Sequence, residues 1–103
     1  MDNNIIFVKQ NDTARILTDT LLLSDGTPIN LTNATLKFIV NGVKKDCEIV
    51  SASIGAVQYR FDDTDLENAG SLKCEWEITF ESGLQLSVPT KGYIIVRIVP
   101  DLA

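Results

Sequence analysis

Residues 71–80, SLKCEWEITF, constrain this chain more than any other stretch. Leu72, Cys74, Trp76, Ile78 and Phe80 alternate with Lys73, Glu75, Glu77 and Thr79. A spacing of two is the pleat of a β-strand, in which every second side chain lies on the same face. One face of this strand is therefore dry and the other wet. The indole of Trp76 needs a second dry surface opposite it, which other segments must supply.

Turn chemistry recurs at short intervals along the rest of the chain. SDGTP (24–28), NG (41–42), SIG (53–55), ENAG (67–70), ESG (81–83) and VPTKG (88–92) separate runs rich in Ile, Val, Thr, Phe and Tyr. Short strands at such spacing mark an all-β sandwich or barrel. Strands are expected at 5–9, 14–23, 34–40, 43–50, 56–61, 71–80, 84–88 and 93–99. Ala34, Leu36, Phe38 and Val40 form one dry face, and Val57, Tyr59 and Phe61 a second. Leu84, Leu86 and Val88 extend the dry face of the long strand. Asn41-Gly42 suits a tight hairpin, because both residues tolerate positive φ. Only DDTDLENAG (62–70) hints at a helical turn, capped by Asp62, Asp63 or Thr64 and ended by Gly70. Residues 1–103 read as a single domain with 1–11 as an N-terminal arm or strand, without repeats or linkers.

Several kinds of chemistry are excluded by composition. No residue is histidine, which removes the commonest general base and metal ligand. There is no Cys-x-x-Cys pair for zinc and no phosphate-binding glycine loop. An enzyme is not expected, nor a cofactor. A net charge of −5 with scattered Lys and Arg argues against nucleic acid as a partner. No window approaches the ~20 apolar residues of a membrane-spanning helix, and MDNNIIFVKQND does not read as a secretory signal. Asp63, Asp65 and Glu67 alternate as calcium ligands do. Their glycine comes late, however, and Cys74 stands where a calcium loop needs Glu, so a solvated capping turn is the simpler expectation. Cys47 and Cys74 sit among apolar residues. Buried free thiols and a bridge between two sheets both fit that pattern.

Two segments break the alternation. Leu21, Leu22 and Leu23 are consecutive, and GYIIVRIV is apolar at both parities. A strand that is apolar on both faces must be covered on both sides. Either the opening IIFV (5–8) covers it, or a partner subunit does. The second alternative makes Leu21, Leu23, Ile94, Val96 and Ile98 the candidate interface.

The order of segments resembles the N-terminal immunoglobulin-like domain of phage baseplate upper proteins, part of the tail-tip apparatus of phages of Gram-positive bacteria. Asp25-Gly26, Pro28, Leu31 and Ala34 match the first turn and strand of that pattern. Gly55, Val57 and Tyr59 match the next strand. Ala69-Gly70, Glu75 and Ile78 match the long strand, and Pro89 precedes the last. The resemblance covers roughly residues 12–99 and implies an immunoglobulin-like antiparallel β-sandwich of about seven or eight strands. Family members continue into further regions that hold receptor-binding proteins, so it concerns one module of them. Cys47, Cys74 and Trp76 do not follow the Cys…Trp…Cys order of antibody domains.

The implied function is that of a virion structural protein, made in the host cytoplasm and carried in many copies on the particle. It would dock non-covalently on tail or baseplate proteins, a connector or the major capsid protein. The alternative is a free-standing module that adheres to a surface carbohydrate or protein.

Overall fold

The computed structural model describes residues 4–89 and 92–100. Nine strands follow one another: β1 (Asn4–Lys9), β2 (Ile16–Thr20), β3 (Thr35–Val40), β4 (Val43–Asp46), β5 (Glu48–Ser51), β6 (Ala56–Arg60), β7 (Gly70–Thr79), β8 (Gln85–Val88) and β9 (Ile94–Val99). They form two sheets. The larger has the order β1-β9-β7-β3-β4, with β8 also on β7, and the smaller the order β2-β6-β5. The protein is thus all-β and sandwich-like, and among the described residues its one helical element is a 3₁₀ turn at Ala52–Ile54.

The long alternating segment becomes β7, the hub of the larger sheet. On one side β3 pairs along it from Thr35↔Thr79 to Val40↔Cys74. On the other side it is paired by β9 over Gly70–Cys74 and by β8 over its last turnward residues. Between Trp76↔Val88 and Cys74↔Ile94, β7 advances two residues and the returning chain six. The return is thus divided into β8, which Pro89 follows at once, and β9. The Asn41-Gly42 hairpin joins β3 to β4 as expected, with φ of 48° and 87°.

The inward faces meet around an aromatic cluster. Phe38 (β3) stacks on Tyr59 (β6) with centroids 4.5 Å apart and tilts against Trp76 (β7) at 4.6 Å. Phe61 meets the edge of Tyr59 at 5.5 Å. Trp76 and Phe38 have no exposed surface. The indole N–H donates to Asp19 Oδ2 on β2 at 3.0 Å, linking the two sheets. A buried indole donor left unpaired would cost about 1–3 kcal/mol, so Asp19 turns inward although it is charged.

Several expected boundaries differ. The strand expected at 14–23 ends at Thr20, because Leu21 is drawn into the core and its N–H donates to Gly55 C=O. The strand expected at 43–50 is two, broken at Cys47, where the chain crosses from the larger sheet to the smaller. Leu84 is exposed in the turn and does not extend the dry face, whereas Leu86 and Val88 are half-buried. The segment at 62–70 forms turns with Asp62 bonded to Thr64 and Asp65 N–H groups. It does not continue as a helix.

Gly55 ends the 3₁₀ turn at φ 68° and is buried. A Cβ there would stand 2.7 Å from Leu21 O and 2.9 Å from Ile29 O, both backbone atoms. Gly26 also has positive φ, yet a Cβ there meets nothing within 4 Å. Gly55→Ala is therefore expected to lower the unfolding free energy by about 1–3 kcal/mol, and by more than Gly26→Ala. Equal losses for the two variants in urea melts would show that the contact with Leu21 and Ile29 is not restrictive.

Candidate interaction surface

The residues proposed from sequence as an interface do not form one. Leu21, Ile94, Val96 and Ile98 are buried in the core between the sheets, and only Leu23 is exposed. The physical reason is strand parity. In β9 the even-numbered side chains face the smaller sheet, with Val8 of β1 and Leu21 beside them in one cluster. The opening IIFV does meet the last strand, but edge to edge. β1 lies parallel to β9 in the register Ile5↔Ile95, Phe7↔Arg97 and Lys9↔Val99.

That pairing moves the apolar surface elsewhere. On the outer face of the larger sheet Ile5 is 50% and Phe7 62% exposed, with Ile95 and Val99 half-buried next to them and Tyr93 partly exposed. Cations are interleaved with these groups. Lys9, Lys73 and Arg97 share this outer face and have no ion pair among the described residues. The Lys73 ammonium lies 5.5 Å from the centroid of the Tyr93 ring. By contrast Arg15, Lys37, Lys44 and Lys45 each meet a carboxylate. In a chain of net charge −5, the outer face at β1 and β9 thus combines apolar side chains with cations that meet no carboxylate among the described residues. Alternation in IIFVK places Ile5, Phe7 and Lys9 on one side. The sequence alone does not show which side, because either parity of that run is apolar enough to be core.

Next to this face, Ile39, Asn41, Gly42, Lys73, Glu75 and Tyr93 line a shallow groove. Asn41 is held there at both ends: its N–H donates to Lys73 C=O, and its side-chain carbonyl accepts from Lys73 N–H. The groove is open to solvent and joins polar and apolar walls.

The acidic turn is occupied with its own structure. Asp65 is buried, and its carboxylate accepts from the Tyr59 hydroxyl and from Asp62 N–H at 3.0 Å. Lys45 Nζ lies 3.0 Å from Asp62 and 3.6 Å from Asp65. Burial, followed by the hydrogen bond to Asp65, pushes the Tyr59 hydroxyl pKa up. The Asp62 contact raises that of Lys45. Among the described residues no three His, Cys, Asp or Glu side chains converge as metal ligands. Cys47 and Cys74 are free thiols, and burial raises their pKa values to about 11 and about 12. Neither is poised as a nucleophile.

No family model matches this chain, and no curated protein matches it in sequence.

The Thr64 hydroxyl, and after it Lys45, hold the Asp62 carboxyl at about 2, below its ordinary 3.8. A group with a lowered folded pKa stabilises the fold above its unfolded value, and that contribution disappears as pH falls through the folded value. Stability is therefore expected to drop between about pH 4 and pH 2, and Asp62→Asn to flatten that drop. Urea unfolding at closely spaced pH values measures it, and an unchanged slope in the variant would contradict the assignment. Thiol titration at neutral pH gives a separate check: Cys74 should react only on unfolding, and Cys47 slowly.

Proposed function

We propose that this chain is an immunoglobulin-like interaction module and a structural component of a phage virion, working by non-covalent docking. The observation that carries the fold half of this reading is the strand order. In immunoglobulin-like sandwiches one sheet holds strands B, E and D, and the other holds G, F, C and C′. Here β2-β6-β5 and β9-β7-β3-β4 follow those two orders. The break at Cys47, between β4 and β5, then corresponds to the passage from strand C′ in one sheet to strand D in the other. The buried Tyr59–Asp65 pair sits at the corner between the strands that correspond to E and F. Phe38 lies on the strand that holds the buried Trp of antibody domains, and Trp76 fills the core from the strand beside it. No disulfide is required, because the aromatic cluster itself joins the sheets.

The docking half rests on the surface. Exposed apolar side chains of β1 and cations of β1, β7 and β9 lie together on the outer face of the larger sheet. Ile5, Phe7, Tyr93 and Arg97 are the contact residues of this reading. They replace Leu21, Ile94, Val96 and Ile98, which are buried. Partners would be tail, baseplate, connector or capsid proteins, with the symmetry of a particle multiplying contacts that are individually weak.

Mass spectrometry of gradient-purified virions from the lysate that expresses this chain tests the assignment. Its peptides should band with the particles at a fixed ratio to the major structural proteins. Peptides confined to the soluble fraction would overturn the virion assignment. Substituting Phe7→Lys together with Arg97→Glu should lower incorporation by about tenfold or more, as loss of a central contact does, without changing the melting temperature of the free chain by more than a few degrees.

A further inference from the structure

We infer that the open edge of β1 pairs antiparallel with β1 of a second copy, about a two-fold axis at Ile6. The argument begins with the backbone. Gln10 N–H donates to Val99 C=O at 2.8 Å. In a parallel pair, alternate residues of a strand address the neighbour. The even-numbered residues of β1 therefore bond to β9, and Ile5 and Phe7 direct their N–H and C=O groups away from it. Lys9 closes the strand, with its C=O accepting from Asp12 N–H at 3.2 Å.

The other edges of the sandwich carry obstacles to strand addition. β4 is four residues long and reads VKKD, with charge at three of them. β5 is as short and contains a register irregularity between Ile49 and Ser51. β8 is followed at once by Pro89. β2 holds the inward-pointing Asp19. Short strands, charges, bulges, proline and inward charges are the means by which natural sheets block edge pairing. β1 has six residues, NIIFVK, with a single charge at its end. Among the described residues it is the edge without such an obstacle, so a second β1 is the strand it can meet. Pairing like with like closes after two copies and does not propagate into a fibre.

The side chains fit this symmetry. With Ile6 opposite Ile6 of the second copy, each Ile5 faces the other copy's Phe7. These are the two exposed apolar side chains of the strand, and they lie on one face. Ile5 and Phe7 then form hydrogen-bonded pairs on both sides of the axis. The two Lys9 residues stand about 20 Å apart along the strands, so no like charges are opposed. The area sets the affinity. Each copy offers Ile5, Phe7 and one strand edge, less than the ~1,200 Å² of a stable free-standing interface. The dimer is therefore weak and forms at high local concentration. Its outer faces lie side by side, which would make two weak docking surfaces into one bivalent one.

Sedimentation velocity of the full chain over roughly 10 µM to 1 mM tests the pairing, a range in which interfaces of sub-standard area dissociate. The expected result is a concentration-dependent shift from monomer to dimer and no larger species. Phe7→Pro removes an N–H that faces the open edge and spares the β9 ladder, so it should abolish the shift while far-ultraviolet circular dichroism stays unchanged. Phe7→Lys should weaken association by about tenfold or more and serves if the proline variant does not fold. Val43→Lys, on the β4 edge, should leave it unaltered. Amide exchange supplies the register: the Ile5 and Phe7 amides should gain protection at high concentration, and those of Ile6 and Val8 should be protected throughout. A monomer up to 1 mM, association unaffected by Phe7→Lys, or open-ended polymers would each overturn the inference. None of these outcomes bears on whether the chain is found in virions, so the two readings can fail separately.

Discussion

The contact between Trp76 and its surroundings is what the rest of the sandwich depends on. Its ring lies against Phe38, which stacks on Tyr59 from the opposite sheet, and its N–H reaches Asp19 on β2. Apolar burial alone is non-directional. The indole hydrogen bond adds a direction, and with it a registration of one sheet on the other. Asp19 does two things at once. It satisfies the buried donor, and it places a carboxylate on an edge strand where a foreign strand would otherwise add.

A second polar anchor lies at the other end of the aromatic cluster. Tyr59 projects its hydroxyl to Asp65, and Asp65 gathers Asp62 N–H and Lys45 around it. A buried carboxylate is tolerated when its lone pairs are filled. The acids that look like a cation site in sequence are thus occupied in closing a corner. The first anchor joins residues 57 apart along the chain, whereas the second closes a local corner between residues only six apart. Both confer specificity on a core that could otherwise slide.

The surface follows from how the final strand is accommodated. β9 has apolar residues at both parities, and the fold resolves this by burying Ile94, Val96 and Ile98 and flanking the others with β1. The apolar excess passes outward to Ile5 and Phe7 at the sheet edge. Lys9, Lys73 and Arg97 surround it, which keeps the patch soluble and gives it a charge opposite to that of the whole molecule.

Strand period, turn residues and the absence of histidine are local properties, so the chain by itself determined an all-β fold, the positions of most strands and the placing of Trp76 in the core. Hairpins such as that at Asn41-Gly42 are equally local, because the turn geometry depends on the two residues that make it. Tertiary structure alone decided which parity of an apolar run faces inward. Leu21, Ile94, Val96 and Ile98 look no different in sequence from Ile95 or Phe7, and only the position of the smaller sheet separates core from surface. It likewise decided that the run beginning at Val43 breaks at Cys47 and that β1 lies parallel to a strand some ninety residues later. Those choices depend on pairings between distant segments, which no local pattern encodes.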